Sequence, residues 1–182
     1  MFPHRSSSLV LLIAVGLLGA CSTIKVDSDY DPSADFSNLR TFAWLPAPVE
    51  AVPDQQVSDL VTQRIRRAVE AELVMQGMRP VESGPDLYIA HHINIEQKLE
   101  VNTTSYGYGY GGSRYRGGMA VDTHVDQYEQ GTLVVDLVSP ETMNVIWRGT
   151  AQSRLRSAAT PQQREERVKE AVSAIFAQYP PE

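Results

Sequence analysis

Between Leu87 and Glu96 the sequence alternates without a break. Leu87, Ile89, His91, Ile93 and Ile95 fall on one side of an extended chain, and Tyr88, Ala90, His92, Asn94 and Glu96 on the other. That pattern belongs to a strand with one buried face, because successive side chains of an extended backbone point in opposite directions. The chain must therefore build a sheet with one dry side and cover that side with something else. Two helical stripes offer the cover. Val57, Leu60, Val61, Ile65, Ala68, Val69 and Leu73 recur at helical spacing, between Asp54 as N-cap and Gly77 as stop. Gln63, Arg64, Arg66, Arg67 and Glu70 read as the solvated side of that helix. The second stripe is Val168, Ala171, Val172, Ile175, Phe176 and Tyr179, ended by Pro180 and Pro181. Thr160-Pro161-Gln162-Gln163 opens it with a capping hydroxyl, a proline at the first helical position and a Gln three residues after the cap.

The other extended stretches are LRTFAWLP (39–46), a continuation of the 87–96 strand through Thr104, a resumption at Val121, Thr123 and Val125, GTLVVDLV (131–138) and VIWRGTAQSRL (145–155). The order is β-α-β-β-β-β-α, with hairpin-like links and no alternating βαβ units. The expected fold class is α+β: one antiparallel β-sheet with two helices packed on one face, forming a single domain over 38–182.

The first twenty residues are unlike the remainder. MFPHRSSS carries Arg5 and no acid, and Leu9 to Gly19 run apolar up to Ala20-Cys21. That run would rise only about 16 Å as a helix, roughly half a bilayer core, so it reads as a secretory signal rather than a span. LGAC at 18–21 resembles the bacterial lipobox, whose cysteine is lipidated before cleavage. Cys21 is the one cysteine in the sequence, so an acylated Cys21 leaves no thiol for disulfides, metal thiolates or nucleophilic catalysis. Two or more acyl chains anchor a protein stably without a spanning helix. The expected organisation is a signal over 1–20, a lipidated polar tether over 21–37 and then the domain. Ser22, where an acid would favour retention at the inner membrane, directs the expectation to the outer membrane and its periplasmic face.

DFSNLRTFAWLP, YEQGTLVVDLVSPETMNVIWRGTA and EERVKEAVSAIFAQYPP together resemble the domain of unknown function 4136 family, over about residues 24–181. The resemblance implies a bacterial envelope lipoprotein with an α+β fold. It implies no activity, ligand or catalytic residue.

SYGYGYGGSRYRGG at 105–118 is the most unusual segment. Extended, it would put Tyr106, Tyr108 and Tyr110 on one face, followed by Arg114, Tyr115 and Arg116. Stacking on nucleic acid is one use of such a run, but a net charge of −6 and an envelope address exclude nucleic acid as the expected partner. An aromatic platform for glycan, peptidoglycan or lipid head groups and a mobile hairpin tip remain the two readings. GxGxxG at 107–112 follows no strand-to-helix turn and is a chance match. His91 and His92 are adjacent and would point to opposite faces; His124 with Asp122 or Asp126 could approach one of them. The alternative is that His91 is a hydrogen-bonded core histidine, and no metal is expected. Asp136 and Arg148 fall on matching faces of neighbouring strands, as an anion site or as an ion pair of about 0–1 kcal/mol. Trp44 and Trp147 read as packing residues. Nucleophile elbows, phosphate loops, HExxH and paired carboxylates are missing from the sequence, so an enzyme and a cofactor are not expected. The expectation is a non-catalytic envelope lipoprotein with an interaction or structural role, partnered by the membrane through its anchor and by an envelope protein or glycan. The alternative is a glycan- or lipid-binding module using the Tyr/Gly/Arg loop.

Overall fold

A computed structural model describes residues 24–46, 58–106, 120–155 and 159–181. The elements are β1 (Lys25–Tyr30), β2 (Thr41–Trp44), α1 (Asp59–Met75), β3 (Arg79–Pro80), β4 (Leu87–Tyr106), β5 (Ala120–Val138), β6 (Val145–Arg154) and α2 (Pro161–Phe176). They form one six-stranded sheet in the order β1-β6-β5-β4-β2-β3, with the helices against one face.

The fold is α+β, with a sheet that is mixed rather than wholly antiparallel. β1, β6, β5 and β4 pair antiparallel, whereas β2 lies parallel to both β4 and β3. The reason is connectivity: α1 carries the chain back over the sheet between β2 and β4, and such a crossover returns the next strand in the same direction. Asp86 fastens this junction. Its carboxylate accepts from the Arg40 and Thr41 amides at 2.9 and 2.8 Å and from the Thr41 hydroxyl at 2.8 Å. These bonds hold its carboxyl below the usual carboxylate range.

Two further departures concern strand limits. Residues 25–30, expected within the tether, form edge strand β1, with Val26, Ser28 and Tyr30 opposite Ala151, Gly149 and Trp147. The stretches expected as separate strands around 121–125 and 131–138 are one strand, β5. It pairs with β4 from Tyr88↔Val138 to Tyr106↔Ala120.

The helices begin and end for local reasons. Thr160 accepts from the Gln163 amide at 3.2 Å while the Gln163 side chain accepts from the Thr160 amide at 2.9 Å, a reciprocal cap. Gly77, at φ 88°, stops α1 in a conformation that favours glycine. Asp54, expected as the α1 cap, lies outside the described residues; the helix begins at Asp59, with Ser58 in the extended cap position. Ile65, Ala68, Val69 and Leu73 are buried, whereas Leu60 is 61% exposed. At 100° per residue Leu60 sits about 140° around the helix from Ile65, off the stripe to which it was assigned.

The core lies between the helices and the side of the sheet bearing Phe42, Leu87, Ile89, Val135, Leu137 and Trp147. Trp147 stacks on Phe176 at 5.7 Å, and Tyr179 meets both edge-on. Burial pushes the Tyr179 hydroxyl up to about 12. Gly149 is what lets α2 settle here. A Cβ built on Gly149 would collide with Ile175 Cγ2 and with the Trp147 ring. Gly149→Ala should therefore overpack the seam and lower stability by about 1–3 kcal/mol, read as a lower urea midpoint at unchanged slope.

Candidate functional site

A pocket of about 320 Å³ opens where the helix cover of the sheet ends. Ile93, Ile95, Leu133 and Ala151 make its floor, Val61 and Ile65 one wall, and Val168 and Ala171 the other. Gly131 shapes it. A Cβ there would come to 3.0 Å from Leu155 Cδ2, so a side chain at this position would push Leu155 from its place over β5. The charged lining is mostly cationic: Arg64, Arg164 and Arg167 against Glu129. Arg64, whose side chain is only 13% exposed, reaches Glu165 Oε2 at 3.3 Å, and Arg67 meets the same oxygen at 3.4 Å. Arg167 donates to the Arg154 carbonyl at 3.3 Å. Arg164 is exposed and has no ion-pair partner among the described residues.

The polar residues of α1 do more than face water. Arg66 lies over the Trp44 ring at 4.5 Å, and the Trp44 indole donates to Glu70 Oε1 at 2.6 Å. His91 meets Trp44 edge-on at 5.5 Å and is half-buried. Burial first, then the charges of Arg66 and His92, lower its pKa, so it packs as a neutral ring. His92 occupies the opposite face. His124 is far along the sheet, opposite Asn102, and pairs with the half-exposed Asp126 at 3.1 Å. It does not approach His91, and no group of three metal-ligating side chains forms among the described residues.

Of the other candidates, Cys21, Tyr108, Tyr110, Arg114, Tyr115 and Arg116 lie outside the described residues. The backbone of Tyr106 ends β4, but its side chain lies outside them too.

Asp136 and Arg148 stand directly opposite each other on the sheet face away from the helices. The contact is bidentate, Arg148 Nε to Oδ1 at 2.6 Å and Nη2 to Oδ2 at 2.8 Å. Asp136 is buried at 3% exposure beneath an arginine side chain that stays half-exposed. On the next strand Asp29 faces Arg148 in register. The Asp136 hydrogen bonds, its charge and that of Asp29 raise the Arg148 pKa, so the arginine's charge is already answered on both sides. This arrangement ties β5 to β6 and leaves little field for an external anion.

Comparison with known proteins agrees with this architecture. The family model described as "Domain of unknown function (DUF4136)" matches residues 26–181. The chain belongs to that family. A search of the curated proteins finds no match. A PDZ domain protein from Parabacteroides distasonis is similar in structure, with 17% sequence identity and a TM-score of 0.56 over 87% of this chain. The chain spans 36% of that protein's length, and the likeness is one of fold alone. A PelC dodecamer from Paraburkholderia phytofirmans matches at 11% identity and a TM-score of 0.43, covering 85% of this chain and 96% of the other.

The residues of the DUF4136 chain that sequence reading passed over are those of the pocket. Gly131 and Leu155 carry no motif, and Arg64 reads as solvated until Glu165 and the sheet are placed beside it. The Asp136–Arg148 pair is also worth more than an exposed pair, because its acid is buried. Arg148→Met should cost about 3 kcal/mol by stranding that carboxylate, and adding Asp136→Leu should recover most of the loss. Asp29→Asn should change stability by less than about 0.5 kcal/mol. Urea unfolding of the three variants checks the order.

Proposed function

We propose that this DUF4136 chain is a non-catalytic binding protein of the bacterial envelope, held by acyl chains on Cys21 at the periplasmic face of the outer membrane, and that its ligand is an anionic amphiphile. The pocket carries the reading: apolar walls, a volume of about 320 Å³ and a margin where Arg164 and Arg167 stand against Glu129 while Arg64 is paired with Glu165. That volume falls at the small end of ligand sites, which run from about 300 to 1,000 Å³. A single alkyl chain suits it, since each methylene withdrawn from water contributes about 0.8 kcal/mol. The floor and walls are mainly aliphatic, with the Thr132 and Ser153 hydroxyls as the uncharged polar side chains of the lining. The head of such a ligand would meet Arg164, which is exposed and, like Arg167, has no ion pair among the described residues.

The anchor reading rests on LGAC at 18–21 and on the apolar run before it. No described helix is long and apolar enough to cross a membrane.

Titrating the protein with alkyl sulfates of increasing length tests the ligand class. Affinity should rise about fourfold per methylene and then level off once the pocket is filled. Ala171→Phe, which fills the pocket from α2, should abolish binding. Arg164→Glu should weaken binding about tenfold for every chain length, ~1.4 kcal/mol, and leave the methylene increment unchanged. Affinity independent of chain length, or untouched by Ala171→Phe, would refute the reading.

A further inference from the structure

Beyond the pocket, β4 and β5 continue as a two-stranded ribbon out to Tyr106↔Ala120. β6 leaves β5 at Gln130, and β2 leaves β4 at Ile89, so neither edge of the ribbon has a neighbouring strand among the described residues. Its two faces differ sharply. Glu96, Lys98, Glu100, His124 and Asp126 share one face, with Arg154 lying over Tyr128 at 4.1 Å and reaching Glu100 at 3.4 Å. The other face, past Glu129, carries Gln97, Leu99, Val101, Thr103, Thr123, Val125 and Gln127, with no charge among them. Leu99, Val101 and Val125 are 69%, 59% and 53% exposed. A surface patch of this kind, backed by a face rich in charge, is suited to meet something apolar or interfacial.

The position of the anchor says what that is. Lys25 pairs with Gln152, Gln152 with Thr132, and Thr132 with Asn94, so β1 begins at the end of the sheet from which the ribbon leaves. Cys21 is four residues before Lys25, a reach of about 14 Å when fully extended. From Asn94 to Tyr106 the ribbon runs about 40 Å at ~3.3 Å per residue. A domain held that closely keeps a projection of that length, leaving the sheet at the anchor's end, near the membrane surface. Insertion into hydrocarbon is excluded by the open ribbon edges, whose unpaired amides and carbonyls would cost several kcal/mol each. That leaves the interface itself, where the uncharged face can rest without stripping water from an ionised side chain.

We propose, on the reading that Cys21 is acylated, that the face carrying Leu99, Val101 and Val125 docks on the membrane surface that bears the protein's own anchor. The pocket margin formed by Ile95, Glu129 and Leu155 stands at the same end of the sheet, so an amphiphile leaving the bilayer would meet the pocket without crossing open water.

Single cysteines at 99, 101 and 125, and at 100 and 126 on the charged face, can each carry an environment-sensitive fluorophore, because an acylated Cys21 does not compete for it. The acylated full chain would be reconstituted in vesicles of phosphatidylethanolamine with phosphatidylglycerol as the minor component. Labels at 99, 101 and 125 should shift to the blue and be quenched by a lipid-borne quencher, while those at 100 and 126 should be quenched by aqueous iodide. Acylated protein with both sets open to iodide overturns the placement and leaves the anchor standing. Protection of 99, 101 and 125 that persists in detergent and grows with protein concentration makes a second copy the occupant, and overturns it equally. An intact mass lacking acyl chains overturns the anchor, and the placement with it.

Discussion

The architecture depends on a mismatch of lengths. A 20-residue β4 spans about 65 Å, whereas a 17-residue α1 spans about 25 Å. Two helices of this size, laid on one face of the sheet, cannot cover a β4–β5 ladder that runs unbroken from Tyr88↔Val138 to Tyr106↔Ala120. The ladder is therefore divided into a core under helices, a margin where the cover ends, and a bare ribbon. Each division has its own chemistry. Leu87, Ile89, Val135 and Leu137 are fully buried in the first. Ile93, Ile95 and Gly131 line the pocket in the second, and Leu99 and Val101 stand exposed in the third.

The two glycines of the sheet's helix-facing side mark the same division. Gly149 lies where α2 is pressed hardest on the sheet, so closely that Ile175 and Trp147 occupy the space of its missing Cβ. Gly131 lies where contact slackens, and only Leu155 fills the space above it. A side chain at the first position would lift the helix; at the second it would grow into the pocket. The open face is held differently, by Asp136 buried under Arg148 and by Asp29 on the far side of that arginine. That polar lock fixes β5 against β6 without a second helical layer.

Much of this was legible in the residues themselves. The alternation of β4, the reciprocal cap of α2 and the match of Asp136 with Arg148 are local patterns, each decided by residues within a few positions or by strand parity. The parallel placement of β2 was not, because strand order is set by how α1 crosses the sheet and not by the sequence of either strand. β1 escaped notice since KVDSDY has one aliphatic residue, Val26, and takes its burial from Ala151 and Trp147 of β6. The pocket was hidden for a related reason: its lining is drawn from α1, β4, β5, β6, the residues after β6 and α2, so no window of sequence contains it. The tyrosines of the 105–118 segment drew attention by composition, yet the geometry that supports a binding role lies at the other end of the ribbon.

The proposed occupant of the margin between helix cover and bare ribbon is an anionic amphiphile from the membrane. Native mass spectrometry of the acylated protein, released from its own membrane in mild detergent, tests this most directly. A discrete added mass that fragments to an acyl chain with an acidic head, and that is missing from an otherwise folded Ala171→Phe variant, is the predicted result. A protein mass with nothing beyond the Cys21 acyl groups, or an added mass that survives Ala171→Phe, would contradict the account.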